Sequence, residues 1–112
     1  MSVVGTTIHK LDGTAFYSPS FPRGGLAATF VANVTHLSGT PTVAIEVEHR
    51  NQDDTSWTSG ATFAAITTTG VKTADGQNLL EILRFKYTFD AGDAATDAIH
   101  LIMQAPTWRP YV

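Results

Sequence analysis

The chain has 112 residues, a formal net charge of -3 and 15% charged residues, against roughly 25% in an ordinary soluble domain. That length fits one domain, which buries roughly two-thirds of the surface exposed by its unfolded chain. The seven lysines and arginines are scattered rather than clustered, which argues against nucleic-acid binding, and the absence of cysteine excludes a disulfide framework and a thiolate nucleophile. Since no basic leader or long apolar window is present, we expect an unprocessed, soluble chain without a membrane partner.

Residues 1–25 are irregular, and the stretch TAFYSPSFPRGG at 14–25 interleaves aromatic residues with prolines and glycines. Proline removes a hydrogen-bond donor and fixes φ, so this segment is predicted to be an extended N-terminal arm or an edge strand. Its aromatic side chains need burial, either on this subunit's own sandwich or on a neighbouring subunit. They are Phe16, Tyr17 and Phe21.

Two long strands are predicted next. Leu26–Leu37 alternates apolar and polar residues, and we expect it to pair through a short loop with the strand at Pro41–Arg50. The polar run Asn51–Asp54 then predicts a turn before the chain becomes apolar again at Trp57. The inward face of the second strand is predicted to carry Val43, Ile45 and Val47, and its outward face is predicted to be wet.

The second half of the chain predicts two more strands. Gly60 indicates a bend or bulge, and a turn is predicted at Asp75 and Gly76. Leu79–Phe89 shows strict alternation that favours a strand over a helix, and after a polar connection at 90–97 a further strand is predicted at Ala98–Ala105. Prolines at both ends of the closing segment argue against a regular strand there.

We count about seven or eight strands separated by turn signals at intervals of roughly ten residues. This pattern predicts an all-β chain with a single antiparallel β-sandwich of jelly-roll or immunoglobulin-like type. The sandwich is predicted to occupy residues 26–105, with extended segments at 1–25 and 106–112.

No residue pattern typical of an active site or metal site occurs. The four histidines are far apart and lack metal-ligand spacing, so we interpret them as structural or surface residues; they are His9, His36, His49 and His100. Asp90, Asp93 and Asp97 lack the ligand pattern of a calcium loop, which favours a solvated turn. No serine lies in a nucleophile elbow, and no glycine-rich phosphate-binding motif is found. We therefore predict a protein that is not an enzyme and has no cofactor or bound metal.

Glu46 and Glu48 lie on one strand face about 7 Å apart, a spacing that overlaps the range of inverting glycosidases. Paired outward glutamates are also common on strands. Arg84 and Lys86, on the outward face of another predicted strand, would oppose them as cross-strand pairs. We favour this structural interpretation.

The aromatic residues admit two interpretations. Tyr17, Trp57, Trp108 and Tyr111 are able to form a sugar-stacking platform, or they serve core packing and subunit contact. We favour docking arms at both chain ends, since extended segments bury much surface per residue and add strands to a neighbour's edge. The predicted partner-binding residues are Phe16, Tyr17, Phe21, Arg23, Trp108, Arg109 and Tyr111.

The stretch EVEHRNQDDTSW at 46–57, followed by APTWRPY at 105–111, resembles small structural proteins of tailed bacteriophages that are encoded among head and tail genes. The resemblance implies a β-sandwich decoration or cement protein on the outside of the capsid, made in the host cytoplasm. Its implied partners are the major capsid protein and copies of itself, as a homo-oligomer on the shell. Two alternatives remain open: a head-closure or tail component, and a carbohydrate-binding β-sandwich module.

Overall fold

The structure of the chain, a computed structural model, describes residues 4–8, 15–39, 42–90 and 98–110. Within these ranges the chain forms β-strands, turns and loops and contains no helix, so the all-β prediction is confirmed. His9, the polar connection at 91–97 and Tyr111 lie outside the described residues. The strands are β1 (Val4–Ile8), β2 (Ala15–Tyr17), β3 (Phe21–Pro22), β4 (Ala27–Ser38), β5 (Thr42–Arg50), β6 (Thr58–Thr62), β7 (Gly70–Gly76), β8 (Ile82–Asp90), β9 (Ala98–Met103) and β10 (Thr107–Arg109).

The strands form two antiparallel sheets that pack together. In one, here the β4 sheet, β4 lies between β7 on one side and β9 followed by β10 on the other, and β1 flanks β9. In the other, the β5 sheet, the order is β2-β8-β5-β6, with β3 beside β8. The predicted antiparallel β-sandwich is therefore confirmed.

The strand order is that of a jelly roll. β1 pairs with β9, β2 with β8, β4 with β7 and β5 with β6, and these pairs alternate between the two sheets. The outgoing half of the chain thus pairs antiparallel with the returning half, which gives the two Greek keys of a jelly roll.

The core consists of the inward residues of both sheets, as the alternation predicts. Phe30 of β4 and Phe85 of β8 meet edge to face across the layers, with ring centroids 6.1 Å apart. Such a pair adds roughly 0.5–1.5 kcal/mol beyond its area burial. Other fully buried core residues are Ala28, Ala32, Val34, Val43, Ile45, Val47, Leu83, Ile99, Leu101 and Met103.

The connection after β4 crosses between the sheets. The predicted pairing of this strand with the following one is wrong, because β4 and β5 lie in opposite sheets and each is bordered by other strands. Gly39, with φ of 81°, adopts the left-handed conformation where the chain leaves β4.

β7 occupies Gly70–Gly76, where the sequence predicted a turn at Asp75 and Gly76. That prediction is wrong, since β7 pairs with β4 along its whole length. Glycine is needed at position 76 because core side chains pack closely against it. A Cβ there would lie 3.1 Å from side-chain atoms of both Phe30 and Leu79.

The bulge predicted at Gly60 is confirmed. Pairing between β5 and β6 shifts from Val47↔Ala61 to Glu48↔Ser59, which leaves Gly60 as the extra residue. A Cβ at this position would lie 2.9 Å from a ring nitrogen of a buried histidine described below.

The described parts of the N-terminal and C-terminal segments belong to the sandwich. β2 and β3 form the edge beside β8, and the Phe21 ring lies 5.2 Å from the Phe85 ring, against the core. At the other end three residues between Pro106 and Pro110 pair with β4, so the prediction that these prolines prevent a strand is wrong for β10. The sandwich therefore extends beyond residues 26–105 on both sides.

Candidate functional site

The outer face of the β5 sheet carries the predicted cross-strand partners. The strand register sets Glu46 opposite Lys86 and Glu48 opposite Arg84. Arg84 donates from Nε and Nη2 to the same Glu48 oxygen, Oε1, at 2.9 Å and 2.8 Å. The predicted cross-strand pairing of Glu48 with Arg84 is confirmed, and their opposed charges stabilise the alignment of β5 with β8.

Two aromatic rings cover this ion pair. The Arg84 guanidinium carbon lies 4.0 Å from the Tyr17 ring centroid and 4.4 Å from that of Trp57. Arg50 contacts the Trp57 ring as well, at 4.9 Å. These four residues are called the cation–π cluster below. The prediction that the outward face of β5 is exposed to water is wrong at Glu48, which is only 9% exposed.

Arg50 also fixes the loop between β5 and β6. Its Nη1 donates to the carbonyl oxygens of Asn51, Gln52 and Asp54 at 3.1, 3.2 and 2.8 Å. The Asn51 N–H donates to the Asp54 carboxylate at 2.9 Å, the kind of local bond for which asparagine and aspartate are favoured in turns. The predicted turn is therefore confirmed and is built around an arginine.

The outer face of the β4 sheet differs in composition. Its central rows pair Val31 with Thr73, and Asn33 with Val71 on one side and Ile102 on the other. We call these five residues the uncharged face; Val71 is 63% exposed, and the rest are partly or largely accessible. Sequence reasoning missed this surface because it did not predict β7, although residues 71, 73 and 75 alternate with 72, 74 and 76.

A polar network lies at one end of the uncharged face. Arg109 donates from Nη1 to the Thr29 hydroxyl at 2.9 Å, and that hydroxyl donates to Asp75 Oδ1 at 2.6 Å. The network links β10, β4 and β7. The charges of Arg109 and Asp75 are thus joined through one threonine and lie at the rim of this face.

Most of the predicted partner-binding residues make contacts within the chain. The Trp108 ring lies edge to face with Phe30 at 6.2 Å, and a Cβ at Gly24 would lie 2.7 Å from it. Arg23 donates from Nη1 to the Leu79 carbonyl at 2.5 Å. Both side chains therefore contribute contacts within the chain.

The aromatic residues proposed as a platform are not all brought together. Tyr17, which is 49% exposed, and Trp57 lie on the outer face of the β5 sheet, with Arg84 against both rings. Trp108 packs against the core from β10 in the other sheet, and Tyr111 lies outside the described residues. Phe16 is placed by its backbone pairing with Tyr87.

One histidine is a core residue. His49 is 9% exposed, and its Nδ1 accepts a hydrogen bond from the Leu80 N–H at 3.2 Å. Burial lowers the pKa of His49 below its ordinary value of 6.5, which favours the neutral ring. This agrees with the structural interpretation of this residue.

Two other histidines are neighbours in space. His36 and His100 are direct cross-strand partners, although 64 positions separate them in the sequence. Within the described residues no group of three or more His, Cys, Asp or Glu side chains is arranged to hold a metal ion. In the same part of the chain no helix is long and apolar enough to cross a membrane.

A shallow, open pocket of about 350 Å³ lies between β3 and the β5–β6 loop. Its titratable side chain is Glu81, which already accepts a hydrogen bond from the Gln52 N–H at 3.0 Å. The remaining lining residues are Ser20, Phe21, Pro22 and Ile82.

The described part of the chain therefore presents two unlike surfaces: a charged face with a cation–π cluster, and an uncharged face of β-branched and amide side chains. No protein-family model, no curated protein and no solved structure matches this chain.

Proposed function

We propose that this chain is a non-enzymatic virion structural protein that decorates the outside of a bacteriophage head. In this role it acts as a cement protein, binding the major capsid protein together with other copies of itself and bridging neighbouring shell subunits. The observation that carries the proposal is the contrast between the outer faces of the two sheets. The resemblance of residues 46–57 and 105–111 to small phage structural proteins supports it.

The uncharged face is suited to burial against a partner. Interface cores are depleted of charged residues, because an unpaired charge that loses its water is strongly destabilising. The central rows of this face carry valine, isoleucine, threonine and asparagine side chains. Docking through these rows buries none of the ionised side chains, because the five residues of the rows carry no charge.

The opposite face is suited to water. Its charges are matched across β5 and β8, and the Glu48–Arg84 pair is covered by aromatic rings of the same chain. A decoration protein that docks with the β4 sheet would direct this face outward. Binding to assembled subunits and not to separate ones would then stabilise the shell by mass action.

Quantitative mass spectrometry of gradient-purified particles tests the proposal. We expect a copy number of this chain comparable to that of the major shell protein. A few copies per particle would instead assign it to head closure or the tail. Absence from particles would overturn the virion proposal and favour the glycan-binding alternative, which predicts a change in tryptophan fluorescence on adding a glycan.

A further inference from the structure

A β-bulge brings His36 into line with His100. Pairing between β4 and β9 runs from Val34↔Leu101 to His36↔His100, so Thr35 is an extra residue on β4. With continuous pairing Thr35 would oppose His100, and His36 would lie opposite the buried Ile99, on the inward face. Bulges re-aim side chains in this way, and here the result is two imidazoles on the outer face of one sheet.

The Thr35 hydroxyl contacts the His100 ring and orients it. This hydroxyl donates to the His100 carbonyl at 3.2 Å and also makes a short hydrogen bond with His100 Nδ1. The Thr35 hydroxyl thus occupies the Nδ1 side of the ring, and Nε2 is the ring nitrogen that does not contact it.

From this arrangement we infer that His36 and His100 form a binding site for a divalent transition-metal ion such as Zn²⁺. Residues directly opposite on antiparallel strands have Cβ atoms about 4.5–5.5 Å apart, which lets two imidazoles approach one ion at Zn–N distances of about 2.0–2.1 Å. Imidazole nitrogen suits zinc, copper and nickel. The site has two protein ligands, and water completes the coordination.

Two surrounding features favour a cation. Histidine ligands are usually held by a hydrogen bond at the other ring nitrogen, and Thr35 makes such a bond with Nδ1 of His100. The next row of the face holds Asn33, Val71 and Ile102, so no positive charge repels the ion there. The site lies at the opposite end of the uncharged face from Arg109, and the inference stands independently of the proposed function.

Isothermal titration calorimetry of the full chain with Zn²⁺ at pH 7.5 tests this site. We expect one ion per chain for the wild type. His36→Gln and His100→Gln should each weaken binding by more than the roughly 10-fold that loss of an outer-shell partner costs. Thr73→Gln, which places the same amide on the same face away from the pair, should bind as the wild type does.

NMR of the wild-type chain gives a readout that does not depend on variants. Ring signals of His36 and His100 should shift together with one affinity on adding Zn²⁺, while those of the buried His49 stay in place. Equal Zn²⁺ affinity of either histidine variant and the wild type, or shifts of the two rings at different Zn²⁺ concentrations, would overturn the inference.

Discussion

Arg84 combines one ion pair with two cation–π contacts. It pairs with Glu48 and stacks against Tyr17 and Trp57, and the ion pair is largely shielded from water. We expect Arg84→Met to lower the free energy of unfolding by about 2 kcal/mol, between the ~0–1 kcal/mol of an exposed pair and the ~3–5 kcal/mol of breaking a buried one. Urea unfolding measures this loss.

The matched control for Arg84 is Lys86→Met, at the next outward position of β8, opposite Glu46. No ring contact is found for Lys86 in the described structure, and we expect a change within about 0.5 kcal/mol. Equal losses for the two variants would show that the aromatic rings add nothing to the ion pair.

His49 links stability to pH. Because burial holds its pKa below 6.5 in the folded chain, the unfolded chain binds more protons between that value and the folded pKa. The contribution of His49 is therefore fully present above pH 6.5 and is lost as the pH falls through the folded pKa. Unfolding curves at several pH values from 7.5 downward should show this decline.

A variant isolates the contribution of His49 from that of other groups. His49→Asn keeps an acceptor for the Leu80 N–H but cannot become charged in this range. We expect its unfolding free energy to depend less on pH than that of the wild type. Identical pH profiles for the two proteins would assign the dependence to other groups.

At the scale of strands, the sequence predicts those whose two faces differ. In β5 and β8 apolar and charged residues alternate, so periodicity predicts their inward faces and places Glu48 and Arg84 on outward faces. In β7 Val71 is the one large apolar residue among glycine, alanine and polar residues, and Asp75–Gly76 resembles a turn. Only the contact of Gly76 with Phe30 and Leu79 shows why glycine is needed there.

The candidate surfaces depend on contacts between distant segments. The ring of Tyr17 reaches Arg84 because β2 and β8 pair, and the pairing of His36 with His100 depends on a bulge at Thr35. Local periodicity contains no information on which strands become neighbours or where a ladder gains a residue. These features could therefore not be predicted from the sequence.

Substitutions in β10 test whether the C-terminal segment stabilises the fold or binds a partner. Trp108 packs on Phe30 and over the Gly24 backbone. We expect Trp108→Ala to lower the free energy of unfolding by about 3 kcal/mol, the low end for large aromatic truncations. Thr107→Ala, exposed on the same strand, should change it by less than about 0.5 kcal/mol. Equal small changes would indicate that the Trp108 ring is available to a partner.

At the scale of the whole molecule, the jelly roll places the uncharged face and the charged face on opposite sheets. The paired antiparallel halves place β6 and β7 as edge strands of opposite sheets, so each outer face is built from a different set of strands. One set carries the matched charges and the other the uncharged rows. A single small domain can thus turn one face to a partner and the other to water.

Lysine substitutions on the two faces test that separation. Thr73 on β7 and Thr62 on β6 are both exposed threonines on edge strands, with Thr73 opposite Val31 and Thr62 opposite Glu46. If the β4 sheet docks on the shell, Thr73→Lys buries an unpaired ammonium and should weaken binding at least ~10-fold, since each ~1.4 kcal/mol is a factor of ten. Thr62→Lys gains a favourable neighbour in Glu46 and should bind as the wild type does. Co-sedimentation with shells that lack this protein measures the binding of each variant. Unfolding curves must first show that the two variants are equally stable. The reverse ranking would place the docking surface on the charged sheet and exclude the uncharged face as the contact with the shell.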